Sequence, residues 1–137
     1  MTSSRIAIIY GEFHAQDIAD MLDEARTAAA ELGLTVVSEV GVPGSLEKPL
    51  ELKKELLRDD VDGAVVLGII ERGETAHGLV MGQCVTTAIL DIQLELMKPV
   101  GMGILGPEIF PSQIRPRTRS YSRAAVNATA KMLNGTA

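Results

Sequence analysis

Apolar and polar positions fall into two kinds of segment along this chain. Some are short runs that are apolar nearly throughout; others are longer stretches whose apolar residues recur every three to four positions. Arg5 to Tyr10 (RIAIIY) is a β-branched run closed by Gly11 and predicts a buried strand. From Gln16 to Leu32, residues Ile18, Met21, Leu22, Ala25, Ala28, Ala29 and Leu32 lie at helical spacing, with Gly33 placed to end the helix. Thr35 to Val40 (TVVSEV) predicts a second strand, stopped by the Gly41-Val42-Pro43-Gly44 turn. Leu46 to Leu57 reads as a Lys/Glu-rich helix with Leu50, Leu52, Leu56 and Leu57 as its apolar members. Gly63 to Ile69 (GAVVLGI) is apolar throughout, as expected of a strand covered by helices on both faces. His77 to Met97 predicts a long helix, Pro99 to Leu105 a fourth strand, and Pro116 to Leu133 a closing helix with Pro116 suited to its first position.

This βαβαβαβα order implies an α/β fold: a three-layer αβα sandwich around a four-stranded parallel sheet, flavodoxin-like, with right-handed crossovers. Nothing divides the chain, so residues 1–137 are expected to form a single domain. In such folds ligands bind beyond the carboxyl ends of the strands, where the strand order reverses. Four segments leave those ends: Gly11 to Ala15, Gly41 to Leu46, Ile70 to His77, and Gly106 to Arg117. They are expected to converge.

Composition narrows the function classes. A chain of 137 residues, 46% hydrophobic, is long enough to bury a core without staples. Its net charge of −5, its 3% aromatic content and the absence of Trp oppose nucleic-acid binding through a basic face or stacking platform. One cysteine, Cys84, excludes an internal disulfide framework and fits a reducing compartment. Mid-helix among apolar neighbours, it reads as inert core. No apolar run approaches the roughly 18 residues of a membrane span, and the opening MTSSR lacks a signal-peptide shape. A cytoplasmic location without membrane contact is expected. Between Gly78 and Met97 the only charges are Asp91 and Glu95, with apolar residues nearly all round. That pattern predicts either a deeply buried crossover helix or a subunit interface; in so small a domain the second is the better account, and a homo-oligomer is expected.

The ligand-edge segments carry the candidate chemistry. His77 ends Arg72-Gly73-Glu74-Thr75-Ala76-His77, and an imidazole is the natural proton shuttle near neutral pH; the alternative is a helix-start histidine bonded to its own loop. Gly73, Glu74 and Thr75 precede a helix whose free N–H groups and dipole favour an anion, unless Thr75 is an ordinary N-cap. Arg115, Arg117, Arg119 and Arg123 crowd the start of the last helix, against its dipole. They form a solvated basic turn, or at least one reaches a bound anion by a bidentate contact. Phe13, on the first ligand-edge loop, either stacks on a flat heterocycle or packs onto a neighbouring helix. Glu47 either accepts bonds from ligand hydroxyls or is a first-turn carboxylate favoured by the dipole. His14 shares the first loop. Paired catalytic carboxylates, CxxC, HExxH, GxSxG, P-loop and GxGxxG patterns are absent from the sequence, so no metal or dinucleotide cofactor is expected.

Four segments together resemble the 6,7-dimethyl-8-ribityllumazine synthase family. They are Gly11-Glu12-Phe13-His14; Val42-Pro43-Gly44-Ser45-Leu46-Glu47-Lys48-Pro49-Leu50; Leu67-Gly68-Ile69-Ile70-Glu71-Arg72-Gly73-Glu74-Thr75-Ala76-His77; and Lys98-Pro99-Val100-Gly101-Met102-Gly103-Ile104. The similarity is collinear from Ile6 to about Leu133, and the ending with Gly106-Pro107, Gln113 and Arg117 is similar to the short branch of the family. The resemblance implies condensation of 5-amino-6-(D-ribitylamino)uracil with 3,4-dihydroxy-2-butanone 4-phosphate, releasing phosphate and water without a cofactor. It implies that Phe13 stacks on the pyrimidine while the backbone around Ile70 and Glu71 bonds its edge. Glu47, with backbone groups of Ser45 and Leu46, would hold the ribityl hydroxyls. Gly73, Glu74 (through its N–H) and Thr75 would cradle the phosphate, Arg117 would be its cationic partner, and His77 would move protons. Met102 matches a position that in relatives enters the site from an adjacent subunit, in pentamers or sixty-subunit shells. His14 replaces a usual asparagine, Leu46 and Met102 replace common aromatics, Lys48 is unusual in its turn, and Glu108 to Ser112 departs from the usual loop. Two alternatives accompany this expectation: a riboflavin synthase of the same fold, and a flavin- or lumazine-binding shell protein with little activity.

Overall fold

The computed structural model describes residues 3–135. Four parallel strands, β1 (Arg5–Gly11), β2 (Thr35–Val42), β3 (Gly63–Glu71) and β4 (Val100–Ile109), form one sheet in the order β2-β1-β3-β4. The helices are α1 (Ala15–Glu31), α2 (Lys48–Leu56), α3 (His77–Leu96), α4 (Pro111–Ile114) and α5 (Thr118–Asn134); 3-10 turns at Ser45–Glu47 and Arg115–Arg117 precede α2 and α5. This is the three-layer, flavodoxin-like α/β arrangement expected from the alternation of elements.

The pleat sorts the strand residues between two cores. Ile6 and Ile8 of β1 join Val65, Leu67 and Ile69 of β3 beneath α1 and α5, whose Met21, Ala25, Ala125 and Val126 complete that layer. Ala7, Ile9, Ala64 and Val66 face the other way, against Leu52 and Leu56 of α2 and Val85, Ile89 and Ile92 of α3. β1 and β3 are apolar on both faces because both faces are covered, and each is hydrogen-bonded on both sides.

Several boundaries differ from expectation. β4 does not stop at Leu105 but runs through Gly106-Pro107 to Ile109, so part of the expected Gly106–Arg117 loop is strand. A Gly-Pro pair reads as a stop, yet β4 is an edge strand, where proline costs no ladder bond. Gly106 sits at φ +95°, and a Cβ there would lie 2.1 Å from the Ile70 carbonyl oxygen, so only glycine fits. The closing helix starts at Thr118 rather than Pro116; Pro116 lies in the preceding 3-10 turn, behind the short α4. In α2 the buried positions are Lys48, Leu52, Glu55 and Leu56, whereas Leu50 and Leu57 are exposed.

Helix α3 buries one stripe, Gly82, Val85, Ile89 and Ile92, and leaves Val80, Leu90 and Leu94 exposed. Cys84 is off that stripe and exposed, which corrects its reading as core. At 20 residues α3 is also long and apolar enough to cross a membrane, contrary to the expectation that no segment approaches that length. Here it forms a layer of the sandwich, with Glu95 paired to Lys53 of α2 and the Gln93 side chain accepting the Val100 N–H of β4.

The arginines before and within α5 face a row of acids on α1. Arg119 lies 3.5, 3.0 and 3.5 Å from Asp20, Asp23 and Glu24; Arg123 lies 2.6 and 2.7 Å from Glu24 and Glu31; Arg115 approaches Asp17 at 3.6 Å. The basic charge that opposes the α5 dipole is thus used to tie two neighbouring helices.

Candidate active site

The chain leaves β1 toward α1 on one face of the sheet and leaves β3 toward α3 on the other. A crevice opens between the two adjacent strand ends, as the topology requires. A concavity of about 290 Å³ lies there, lined by Phe13, His14, Ile69, Ile70, Glu71, Gly73, Thr75, His77, Gly78 and Met81. Larger hollows of about 700 and 500 Å³ lie at the opposite, amino end of the sheet around Met97, Lys98 and Pro99, and neither contains a histidine.

His77 is the first residue of α3 and is exposed. Its backbone N–H donates to Thr75 Oγ1 at 3.3 Å. The cap position itself belongs to Ala76, which offers no side-chain bond, so Thr75 supports the helix entrance from one residue outside it. A Cβ built at Gly73 meets nothing within 4 Å, so the segment before the helix is open to an incoming group. Glu74 is exposed and is not among the lining residues. The arrangement offers free N–H groups, a hydroxyl and an imidazole around one small space, a combination suited to an oxyanion and proton transfer.

The second ligand-edge segment reaches the same crevice. Phe13 is 69% exposed rather than packed onto a helix. An ideal Cβ on Gly44 would lie 3.4 Å from the Phe13 ring and 3.7 Å from Glu47 Oε2, so ring and carboxylate flank one glycine. Leu46 and Glu47 are exposed, while Ser45 is buried. The fourth segment meets the third: Arg72 N–H donates to the Ile109 carbonyl at 2.8 Å, and its guanidinium lies 5.3 Å from the Phe110 ring centre and 3.4 Å from Glu108.

Two expected site residues lie elsewhere. Arg117 is half-buried and donates to the Gln113 carbonyl at 3.0 Å, outside the concavity. Met102, midway along β4, borders a separate hollow with Tyr121, Ala124 and Ala125. Arg117 nevertheless differs from Arg115, Arg119 and Arg123, because among the described residues those three pair with carboxylates and it does not.

Two features went unread in the sequence. His14 adopts a left-handed conformation, φ 59° and ψ 55°, at the start of α1, and its Nε2 lies 3.2 Å from Glu71 Oε2. Lys48 is 1% exposed, donates from Nζ to Ser45 Oγ at 2.9 Å, and has its pKa pushed down to about 8 by burial. The spacing of Lys48 to Leu52 and Leu56 is the signal that could have placed it on the inner stripe of α2. Among the described residues no group of three or more His, Cys, Asp or Glu could hold a metal ion.

The family model for 6,7-dimethyl-8-ribityllumazine synthase matches residues 3–136. Proteins named 6,7-dimethyl-8-ribityllumazine synthase are similar over nearly the whole chain. That of Staphylothermus marinus is 37% identical over 131 residues, covering 96% of this chain and 87% of the relative. That of Metallosphaera sedula is 38% identical over 131 residues, with 96% and 87% covered. That of Methanopyrus kandleri is 38% identical over 133 residues, with 97% and 94% covered. A crevice at the β1/β3 strand ends and collinear similarity of this extent agree: the chain belongs to the 6,7-dimethyl-8-ribityllumazine synthase family.

Proposed function

We infer that this protein condenses 5-amino-6-(D-ribitylamino)uracil with 3,4-dihydroxy-2-butanone 4-phosphate, giving 6,7-dimethyl-8-ribityllumazine, phosphate and water, a step of riboflavin biosynthesis. The observation that carries the reading beyond family membership is the meeting of His77, Thr75 and Gly73 with Phe13 around one concavity. The pyrimidine stacks on Phe13, with its edge against the backbone of Ile70 and Glu71. The ribityl chain runs toward Ser45, Leu46 and Glu47. The phosphate lies on the N–H groups of Gly73, Glu74 and Thr75 at the entrance to α3. His77 takes and returns protons as the amine adds to the ketone, phosphate leaves and the ring closes. No electron is gained or lost, so the reaction needs no redox cofactor. Holding two substrates in register supplies much of the acceleration.

Arg117 and Met102 lie outside this chain's own concavity, and a second copy is the means by which they reach a site. The exposed apolar residues Val80, Leu90 and Leu94 of α3 support such packing. The assembly proposed is a homo-oligomer, a pentamer or sixty-subunit shell of single-domain chains, acting in the cytoplasm. Light scattering gives its size. Incubation of the purified protein with both substrates, followed by lumazine fluorescence, tests the activity. Product formation no faster than without protein would overturn it.

A further inference from the structure

We propose that Lys48 is a positioning residue of this site: its ammonium, buried beneath the ends of β1 and β3 and bonded to Ser45 Oγ, fixes the turn that carries Glu47 beside Phe13. The inference rests on the reading of Glu47 as a holder of substrate hydroxyls.

The space Lys48 occupies exists because two strand residues lack side chains. A Cβ on Gly68 of β3 would lie 1.8 Å from Nζ, and one on Gly11 of β1 would lie 3.2 Å from Cε. The amine therefore sits against the backbone of both central strands, just below the residues that line the crevice. Burial lowers its pKa, and among the described residues no carboxylate offsets that effect. A buried ammonium with a single hydroxyl partner is costly, and an apolar residue would continue the Leu52–Leu56 stripe at no such cost. Stability does not account for the charge.

Among the described residues, the one polar group that the ammonium touches is Ser45 Oγ. Ser45 opens the 3-10 turn Ser45–Glu47, which is otherwise closed by two local backbone bonds: Glu47 N–H to the Gly44 carbonyl at 3.3 Å, and Lys48 N–H to the Ser45 carbonyl. The Lys48 stem runs from this turn into the sheet, and its head pulls on the turn's first side chain. Removing the bond would let the turn, and Glu47 with it, shift relative to Phe13. A displacement there weakens ground-state binding of the hydroxyl-bearing substrate and leaves the His77 end untouched.

The test uses the full chain with Lys48→Met, which keeps the stem and removes the ammonium, and with Ser45→Ala, which removes the acceptor. Each single variant should raise KM for the ribitylaminopyrimidine about tenfold, with kcat and KM for the butanone phosphate within about twofold. The double variant should be no worse than the worse single one, since both break one contact. Amide hydrogen exchange at Ser45–Glu47 should be faster in both variants, with no change in α1. An unchanged pyrimidine KM, or an equal loss toward both substrates, overturns the proposal. If Lys48→Met does not fold, the Ser45→Ala readings decide alone. A wild-type chain without condensing activity whose variants still show faster exchange would refute the functional reading and keep the clamp; an active wild type whose variants change neither quantity would refute the clamp only.

Discussion

The Nε2 atom of His14 lies 3.2 Å from the carboxylate of Glu71, joining the loop after β1 to the last residue of β3 across the mouth of the crevice. Both histidines of the chain thereby border one concavity. The pair is about one-third exposed on each side, which limits its worth to roughly 1 kcal/mol or less. The backbone of His14 matters more. At φ 59° histidine and asparagine are tolerated, whereas a β-branched residue is not. His14→Asn should unfold in denaturant within about 1 kcal/mol of wild type, and His14→Val should lose about 1–2 kcal/mol more. Equal stability of the two variants would contradict this account.

His77 is assigned proton transfer and not substrate holding. His77→Ala should lower kcat about a hundredfold, while turnover stays above the uncatalysed rate because both substrates are still held together. Stopped-flow fluorescence of the product gives both rates. Loss of all acceleration would place more of the catalysis on this imidazole than proximity allows.

Lys48 gives stability a definite dependence on pH. Unfolded, its amine keeps a proton up to about 10.5; folded, burial releases it near 8. The folded state therefore binds fewer protons between those values, and stability rises with pH across that window. Below about pH 8 the full penalty is present, on the order of 3 kcal/mol. Urea unfolding of wild type and Lys48→Met should differ most at pH 7, with the variant more stable, and the gap should close by pH 10.5. A constant gap would mean the amine is not desolvated as described.

The four arginines should separate by function. Arg115, Arg119 and Arg123 are engaged with α1 carboxylates, and Arg117 is not. Arg117→Ala should raise KM for the phosphate-bearing substrate about tenfold, whereas Arg115→Ala should stay within about twofold. In Arg123→Ala the loss should be of stability, small, and should shrink in high salt. Steady-state kinetics and denaturation with and without salt distinguish these outcomes.

The layer order and all four strands were legible because period-2 and period-3.6 patterns are set by burial, and burial here is nearly complete along β1 and β3. What was not legible was decided across space. Gly106-Pro107 looks like a stop in one dimension and is strand because β4 lies at an edge. Leu50 looks like an inner residue of α2, but Lys48 takes that place because two glycines on other strands leave room. Cys84 has apolar neighbours in sequence, yet the stripe set by Val85, Ile89 and Ile92 turns it outward. Of the candidate site, Phe13, Ile70, Glu71, Gly73, Thr75 and His77 could be gathered by the rule for strand ends. The His14–Glu71 contact could not, because no spacing relates a loop residue to a strand terminus 57 positions away.

The crevice floor belongs to β1 and β3, the inner pair of the sheet, each laddered to a neighbour on either side. Such strands do not fray at a border, so the pocket cannot be lost by partial melting of the sheet. Heating should therefore leave this floor in place until the sheet itself unfolds cooperatively.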